Sequence, residues 1–321
     1  MAKKTLATPE SSILERYSMM EDDWAVPARD TFVSPMVDER PGQMLMFGER
    51  LRNGSISADI TILDTLPRRN GEPSMEVSLV ARYDGPETYY YAGTGAFYSK
   101  FFIGKVWSGP IWQARRWIGQ QSSVFKDKQY RLRLEFRGNQ ITLFENDVQL
   151  LVVVDDSYSI GQCGLGAWKT AARFENVRIQ RATPRAFVIM PFASELNFVH
   201  HVISSTVKSF GIDCVRADEI AISRPVMDDV KAQIAEADLV ITGEGKFDWQ
   251  SLHGKVASGV LTAAGDTPVV VLAGTVDVDS PVPAYSLIDE VGRERAFAEP
   301  AAALAELAGA IAQVSRRPNQ R

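Results

Sequence analysis

From about Met46 to Ile179, apolar and polar residues alternate in short runs, and turn signals separate one run from the next. The runs are SISADITIL (55–63), MEVSLVARY (75–83), TYYYAGTG (88–95), YSKFFIGKV (98–106), YRLRLEFRG (130–138), QITLFEND (140–147), QLLVVVDD (149–156) and AARFENVRIQ (171–180). Successive side chains of a strand point to opposite faces, so these runs predict half-buried antiparallel strands and a β-sandwich. Within TYYY, Tyr90 then points one way and Tyr89 and Tyr91 the other, with at least one set in the core. Residues 1–45 hold no sustained period beyond a short helical pattern at Ser11–Met20, and read as an N-terminal arm packed on a domain at 46–182.

At Arg181–Pro184 the texture changes to apolar runs separated by helical spacings. AFVIMPF (186–192) reads as a strand buried on both faces, and Phe198–Phe210 as a helix stopped by Gly211. Strand Cys214–Arg216, helix Pro225–Glu236, strand Leu239–Thr242, helix Gly254–Ala264 and strand Pro268–Ala273 follow. A weak strand at Arg295–Ala298 and a helix at Pro300–Val314 close the chain. Such alternation predicts a parallel sheet covered by helices on both faces over 183–321. Five strands suit a flavodoxin-like order, in which ligands meet the carboxyl ends of the strands. The expected fold class is therefore β plus α/β: an antiparallel sandwich, then a flavodoxin-like sheet.

Composition adds limits. The 321 residues exceed a comfortable single core, and 45% hydrophobic with 23% charged is ordinary for globular domains. A net charge of −5 argues against nucleic acid as a partner; Arg115 and Arg116, between Trp112 and Trp117, are the one local exception. MAKKTLATPESS has no apolar core behind its lysines, and no membrane-length apolar run occurs, so a cytoplasmic protein is expected. Cys163 and Cys214 fall in different domains without metal-ligand spacing, so reduced thiols and no metal centre are expected.

The closing segment GQCGLGAWKTAARFENVRI (161–179), approached through ENDVQLLVVVDDSYSIG, resembles the last strands of concanavalin-A-like (laminin-G-like) jelly rolls. The resemblance spans about 46–180 and implies a sugar- or ligand-binding sandwich in many relatives, a structural adaptor in others. Trp107, Trp112 and Trp117, around Gly109-Pro110 in an expected loop, are the candidate stacking faces for a sugar.

Two further resemblances meet in the second domain. Ala186–Ile241, with AFVIMPF, FVHHVISSTVKSFGIDCVRADEIA and PVMDDVKAQIAEADLVI, resembles the nucleoside 2-deoxyribosyltransferase-like and TIR-like family. That implies a nucleoside or NAD pocket built by Met190, Pro191 and Phe192, by Arg216, Asp218 and Glu219, and by the exit of the third strand. The Asn-Pro-Asn loop and Glu-Leu-Gly motif of that family are missing. Instead TGEGKFDWQSLHGKVASGVLTAAGDTPVVVLAG resembles the C-terminal part of bacterial glycerate kinases, over about Asp238–Gly274 and more loosely across 237–315.

The joined stretch carries the chemistry. Gly243 and Gly245 permit a tight loop near a ligand, and Gly254-Lys255 opens a helix whose free N–H groups and lysine favour an anion. Glu244 and Asp248 supply carboxylates for a general base or for Mg²⁺, while Gln250, Ser251 and His253 supply hydrogen bonds. The spacing is not a P-loop, because Val256 stands where a hydroxyl is required. Ser251 as a helix cap, with both carboxylates in water, is the bland alternative.

These features favour a binding or sensing protein that takes a nucleotide or sugar phosphate, with carbohydrate on the jelly roll. Three alternatives stay open. The first is a glycerate-kinase-like phosphotransferase using ATP and Mg²⁺. The second is a nucleoside or NAD glycosidase. The third is a carbohydrate-binding or interaction module beside an inactive α/β domain.

Overall fold

The computed structural model describes residues 17–19, 24–38, 43–108, 111–191, 193–219, 226–253, 255–265 and 267–315. The chain divides into two compact units, Met1–Ala182 and Thr183–Arg321. Among the described residues no helix is long and apolar enough to cross a membrane.

The first unit is an antiparallel sandwich of two seven-stranded sheets among the described residues. One holds, edge to edge, β1 (Tyr17–Met19), β4 (Gln43–Leu51), β13 (Gly161–Trp168), β6 (Glu76–Tyr83), β7 (Tyr89–Thr94), β8 (Phe101–Trp107) and β9 (Ile111–Ile118). The other holds β12 (Val148–Val154), β11 (Gln140–Glu145), β10 (Gln129–Arg137), β5 (Gly54–Thr65), β14 (Thr170–Arg181), β3 (Thr31–Val33) and β2 (Ala25–Ala28). The alternating runs became these strands because every second side chain enters one core: Ile56, Ala58, Ile60 and Ile62 from β5 meet Tyr130, Leu132, Leu134 and Phe136 from β10. Tyr90 joins that core, and Tyr89 and Tyr91 lie in a separate apolar cluster with Met44, Met46 and Phe102, as the alternation requires.

Two expectations need correction here. The N-terminal stretch is not an arm laid over the sandwich. β1, β2 and β3 are strands of the sheets themselves, and Phe32 is fully buried in the core, so hydrogen-bond pairing recruits this stretch despite its lack of pattern. Where a helix was expected at Ser11–Met20, Tyr17–Met19 is extended against β4, and 11–16 and 20 lie outside the described residues. The segment of Trp107, Trp112 and Trp117 is not a loop either: β8 and β9 pair as a hairpin with Phe102 opposite Trp117 and Val106 opposite Trp112. Gly109-Pro110 itself lies outside the described residues.

Two buried charges tie the sandwich. Arg82, 1% exposed and held at φ 53°, donates to the carbonyls of Arg52, Gly138 and Tyr158, so one guanidinium fastens three turns. Burial lowers its pKa to about 10. Asp155 receives Tyr90 Oη at 2.6 Å, Lys105 Nζ at 2.9 Å and Arg115 at 3.1 Å, joining β7, β8 and β9 to the turn after β12.

The second unit contains β15 (Arg185–Ile189), α1 (Asn197–Ser209), β16 (Asp213–Arg216), α2 (Val226–Glu236), β17 (Leu239–Phe247), α3 (Trp249–His253), α4 (Lys255–Ala264) and β18 (Val269–Val276). It ends with β19 (Ala284–Ser286), α5 (Leu287–Val291), α6 (Arg293–Ala298) and α7 (Pro300–Ser315). The sheet is parallel in the order β16-β15-β17-β18-β19, the flavodoxin-like arrangement. β15 is buried on both faces: Ala186 and Val188 pack with Ile203, Val207, Leu307 and Ile311 of α1 and α7, whereas Phe187 packs with Ile234 of α2 and Val260 of α4.

The fifth strand is β19, not Arg295–Ala298. The latter is α6, whose Arg295 pairs with Glu299 and Glu306 and whose Ala296 is buried, a one-sided burial that a helical turn satisfies. β17 and β18 also run further than Thr242 and Ala273, staying paired as far as Phe247 opposite Val276.

Candidate functional site

At the carboxyl ends of β15, β17 and β18 the sheet opens into a cavity of about 200 Å³ between the strands and helices α1 and α7. Val188, Met190 and Pro191 form one wall, Ile241 and Gly243–Gly245 the floor, and Leu272–Gly274 the next strand. Leu196, Phe198, Val199 and Ile203 enter from the α1 side, and Leu287, Pro300 and Leu304 from α5 and α7. Glu244 is the only charged residue among the described lining residues.

The glycines do not make a loop. Gly243 and Gly245 lie in β17 without left-handed φ, because the ladder to β18 continues past them. Close approach holds at Gly274, where a Cβ would meet Gly245 O at 2.6 Å; a Cβ on Gly243 would make ordinary contact with Leu272 O and Met190 Cβ at 3.7 Å, and one on Gly245 would meet nothing within 4 Å. Small residues thus keep two strands close and one cavity wall bare.

Glu244 is positioned from behind. Ser251 Oγ donates to Glu244 Oε2 at 2.6 Å and lies 3.3 Å from the Asp248 N–H that donates to it. The helix cap is Asp248, whose Oδ1 accepts the Gln250 N–H at 2.9 Å and starts α3, leaving the Ser251 hydroxyl for Glu244. Lys246 Nζ pairs with Asp277 at 2.9 Å and stands 3.7 Å from Asp248; the Asp277 bond holds its pKa above the ordinary value. Glu244, Asp248 and Ser251 therefore converge, while Gln250 is engaged through its backbone and its side chain is exposed. Phe192, Gly254 and the side chains of His253 and Lys255 lie outside the described residues.

Arg216, Asp218 and Glu219 form a separate knot at the end of β16. Arg216 donates twice to Asp218, at 2.5 and 2.6 Å, and once to Asn197 at 3.0 Å, and its own N–H donates to Glu219. Arg216 holds the Asp218 carboxyl below its ordinary value. His200 stands 3.7 Å from Glu219, and burial pushes its pKa down. None of these residues lines the cavity, so the pocket expected from Met190, Pro191, Arg216, Asp218 and Glu219 together is not assembled that way. The bidentate pair satisfies Arg216 within the protein.

Among the three tryptophans, Trp107 and Trp117 are exposed, at 45% and 59%, and only Trp112 lines a groove. Arg115, the nucleic-acid hint, is committed to Asp155.

Of the residues expected from sequence, Met190, Pro191 and the Gly243–Gly245 stretch line this cavity, and the apolar contribution of α1, α5 and α7 was not foreseen. One signal was available: Phe198, 50% exposed at the start of a helix, is an apolar residue that the core does not absorb.

Comparison with known proteins bears on this site. Residues 222–316 match the model of the glycerate kinase family. The glycerate kinase of Bacillus subtilis (strain 168) is 48% identical over 54 residues, 16% of this chain and 14% of that protein. An uncharacterised protein of Mycobacterium bovis is 54% identical over 48 residues, 14% of this chain and 13% of its own. The matched stretch is thus a small part of each relative's length. Among solved structures, a carbohydrate-binding module from Bacillus subtilis aligns at 19% identity with a TM-score of 0.43, over 51% of this chain and 94% of that one. The Caenorhabditis elegans galectin LEC-6 aligns at 11% identity with a TM-score of 0.33, over 48% and 99%.

By its strand topology the protein is a β-sandwich unit followed by a flavodoxin-like α/β unit. The C-terminal stretch of the second unit carries the glycerate kinase family match. The resemblance of 186–241 to the nucleoside 2-deoxyribosyltransferase-like and TIR-like family gains no support from these relatives.

Proposed function

We propose that the chain is a two-unit binding protein whose α/β unit takes a small hydroxylated molecule into the cavity at the strand ends, with Glu244 receiving a ligand hydroxyl. The carrying observation is the pairing of an apolar cavity with one carboxylate held from behind by Ser251. An apolar wall accepts the body of a ligand, and a fixed carboxylate accepts one donor group and sets its orientation. The described lining holds no cation to meet a phosphate.

Calorimetric titration of the whole chain with glycerate, nucleosides, NAD, ATP and sugar phosphates tests this reading. At least one should bind. Gly243→Leu, which fills the cavity, should abolish that binding, and Glu244→Gln should weaken it about tenfold, the loss of one charge-assisted hydrogen bond. Unchanged affinity in both variants would sink the proposal.

A second reading, phosphoryl transfer to glycerate or a similar hydroxy acid, is favoured by the family match, which contains Glu244, Asp248, Ser251 and Lys255. Glu244 and Asp248, joined through Ser251, suit a Mg²⁺ that takes one or two protein carboxylates and fills its remaining positions with phosphate and water. Bound there with ATP, the ion would shield phosphate charge, while the protein's part is to fix the two carboxylates. A coupled assay of ADP release with D-glycerate distinguishes the readings. Asp248→Asn preserves the acceptor that caps α3, so lost turnover in that variant would indicate chemistry and not misfolding.

A further inference from the structure

The sandwich carries a second concavity, of about 660 Å³, on its β6-β7-β9-β13 sheet. Its walls include Arg68, Arg69, Tyr98, Trp112, Trp168 and Lys169. Tyr98 is 60% exposed and Trp112 half-buried, so aromatic surface is presented at the groove and not spent on the core. The Arg68 guanidinium lies 4.9 Å from the Tyr98 ring centre and 5.8 Å from that of Trp168, and donates to the Gly95 carbonyl at 2.5 Å. Among the described residues neither Arg68 nor Arg69 has a carboxylate partner, whereas Lys169 is answered by Asp38 at 2.6 Å.

The backbone around this groove is held in costly conformations. Met75, Phe97, Tyr98 and Lys169 have φ of 41°, 52°, 53° and 56°, four of the nine described non-glycine residues with positive φ. Left-handed backbone is unfavourable for residues with a Cβ, and such residues cluster where a rigid binding geometry is kept. Here they turn the Gly95–Tyr98 loop and the ends of β6 and β13 toward one another.

Charge narrows the ligand. Arg68, Arg69 and Lys169 stand against Asp38 and Glu76, so three cations less two carboxylates leave one positive charge in the lining. A polyphosphate would meet both carboxylates with several negative charges of its own, whereas a single carboxylate is balanced. Flat aromatic surface accepts the apolar C–H face of a sugar ring, and Glu76 and Asp38 accept hydroxyls. We propose that this groove binds an acidic saccharide, a hexuronate within an oligosaccharide, with its ring on Trp112 and Tyr98 and its carboxylate on Arg68 and Arg69. This concerns the first unit alone and stands or falls separately from the cavity at Glu244.

The test is intrinsic tryptophan fluorescence of the whole chain during titration with tetramers of galacturonate, glucuronate and mannuronate, with neutral galactose, glucose and mannose tetramers and ADP as comparisons. At least one uronate tetramer should bind, with its neutral counterpart and ADP about tenfold weaker or more. Trp112→Ala and Arg68→Met should each cost about tenfold, and Trp117→Ala, exposed outside the groove, should cost nothing. Arg69 is exposed, so Arg69→Met keeps the charge argument testable if Arg68→Met does not fold. The assignment is overturned if no uronate binds, if neutral tetramers or ADP bind equally well, or if Trp117→Ala is as damaging as Trp112→Ala. Gly243→Leu should leave uronate binding intact.

Discussion

Asp155 shows how one carboxylate can be both sealed and ionised. Burial alone would raise its pKa, but hydrogen bonds from Ser157, Tyr90 and Lys105 outweigh that effect and hold it far below the usual carboxylate range. An unfolded aspartate takes its proton near pH 4, well before the folded one does. The stability that Asp155 contributes is therefore complete above about pH 4 and is lost as the pH falls toward its folded value. Asp155→Asn should lower the urea midpoint at pH 7 and shrink the difference between pH 7 and pH 3. Equal pH dependence in the two proteins would count against this account. Nothing in QLLVVVDD marks Asp155 from Asp156, since its partners Tyr90, Lys105 and Arg115 come from three strands distant in sequence.

At the scale of elements, alternation was legible wherever one side of a strand meets the core. β5, β10 and β14 are such strands, and so is TYYY, whose two faces separate as the period demands. Legibility failed where pairing and not pattern decides. β17 was expected to end at Thr242 because GEGK has the composition of a turn, yet its ladder to β18 persists to Phe247. β9 concealed itself because its tryptophans and arginines are mostly exposed, and β19 has only three residues. The paired extension yields its own expectation. Gly274→Ala places a methyl 2.6 Å from the Gly245 carbonyl oxygen, a contact that only a shift of one strand can relieve. The cost should be about 1–3 kcal/mol in chemical denaturation, and an unperturbed midpoint would show that the two strands are less closely held.

For the whole molecule, the chain divides after Ala182 into two units that have separate apolar cores. Fragments 1–182 and 183–321 should each fold, the first with β-type and the second with mixed α/β circular dichroism. A fragment lacking cooperative melting would show that its core is insufficient alone. Met190 and Pro191, expected from the resemblance, and Gly243–Gly245, expected at the exit of the third strand, line the cavity. Sequence alone could not reveal that Arg216 would be consumed by Asp218 and Asn197, nor that residues of α1 and α7, about a hundred positions apart, would close the space.

The cavity wall made of Gly243, Gly245 and Gly274 has a consequence for how such a site can diverge. At those positions every amino-acid replacement adds atoms, so mutation can shrink the space there but never enlarge it. Space there can widen only through the apolar side chains of the lining, such as Leu272, Phe198 and Leu304. Descendants of this chain would therefore acquire larger ligands by trimming helices α1 and α7, and smaller ones by losing a glycine.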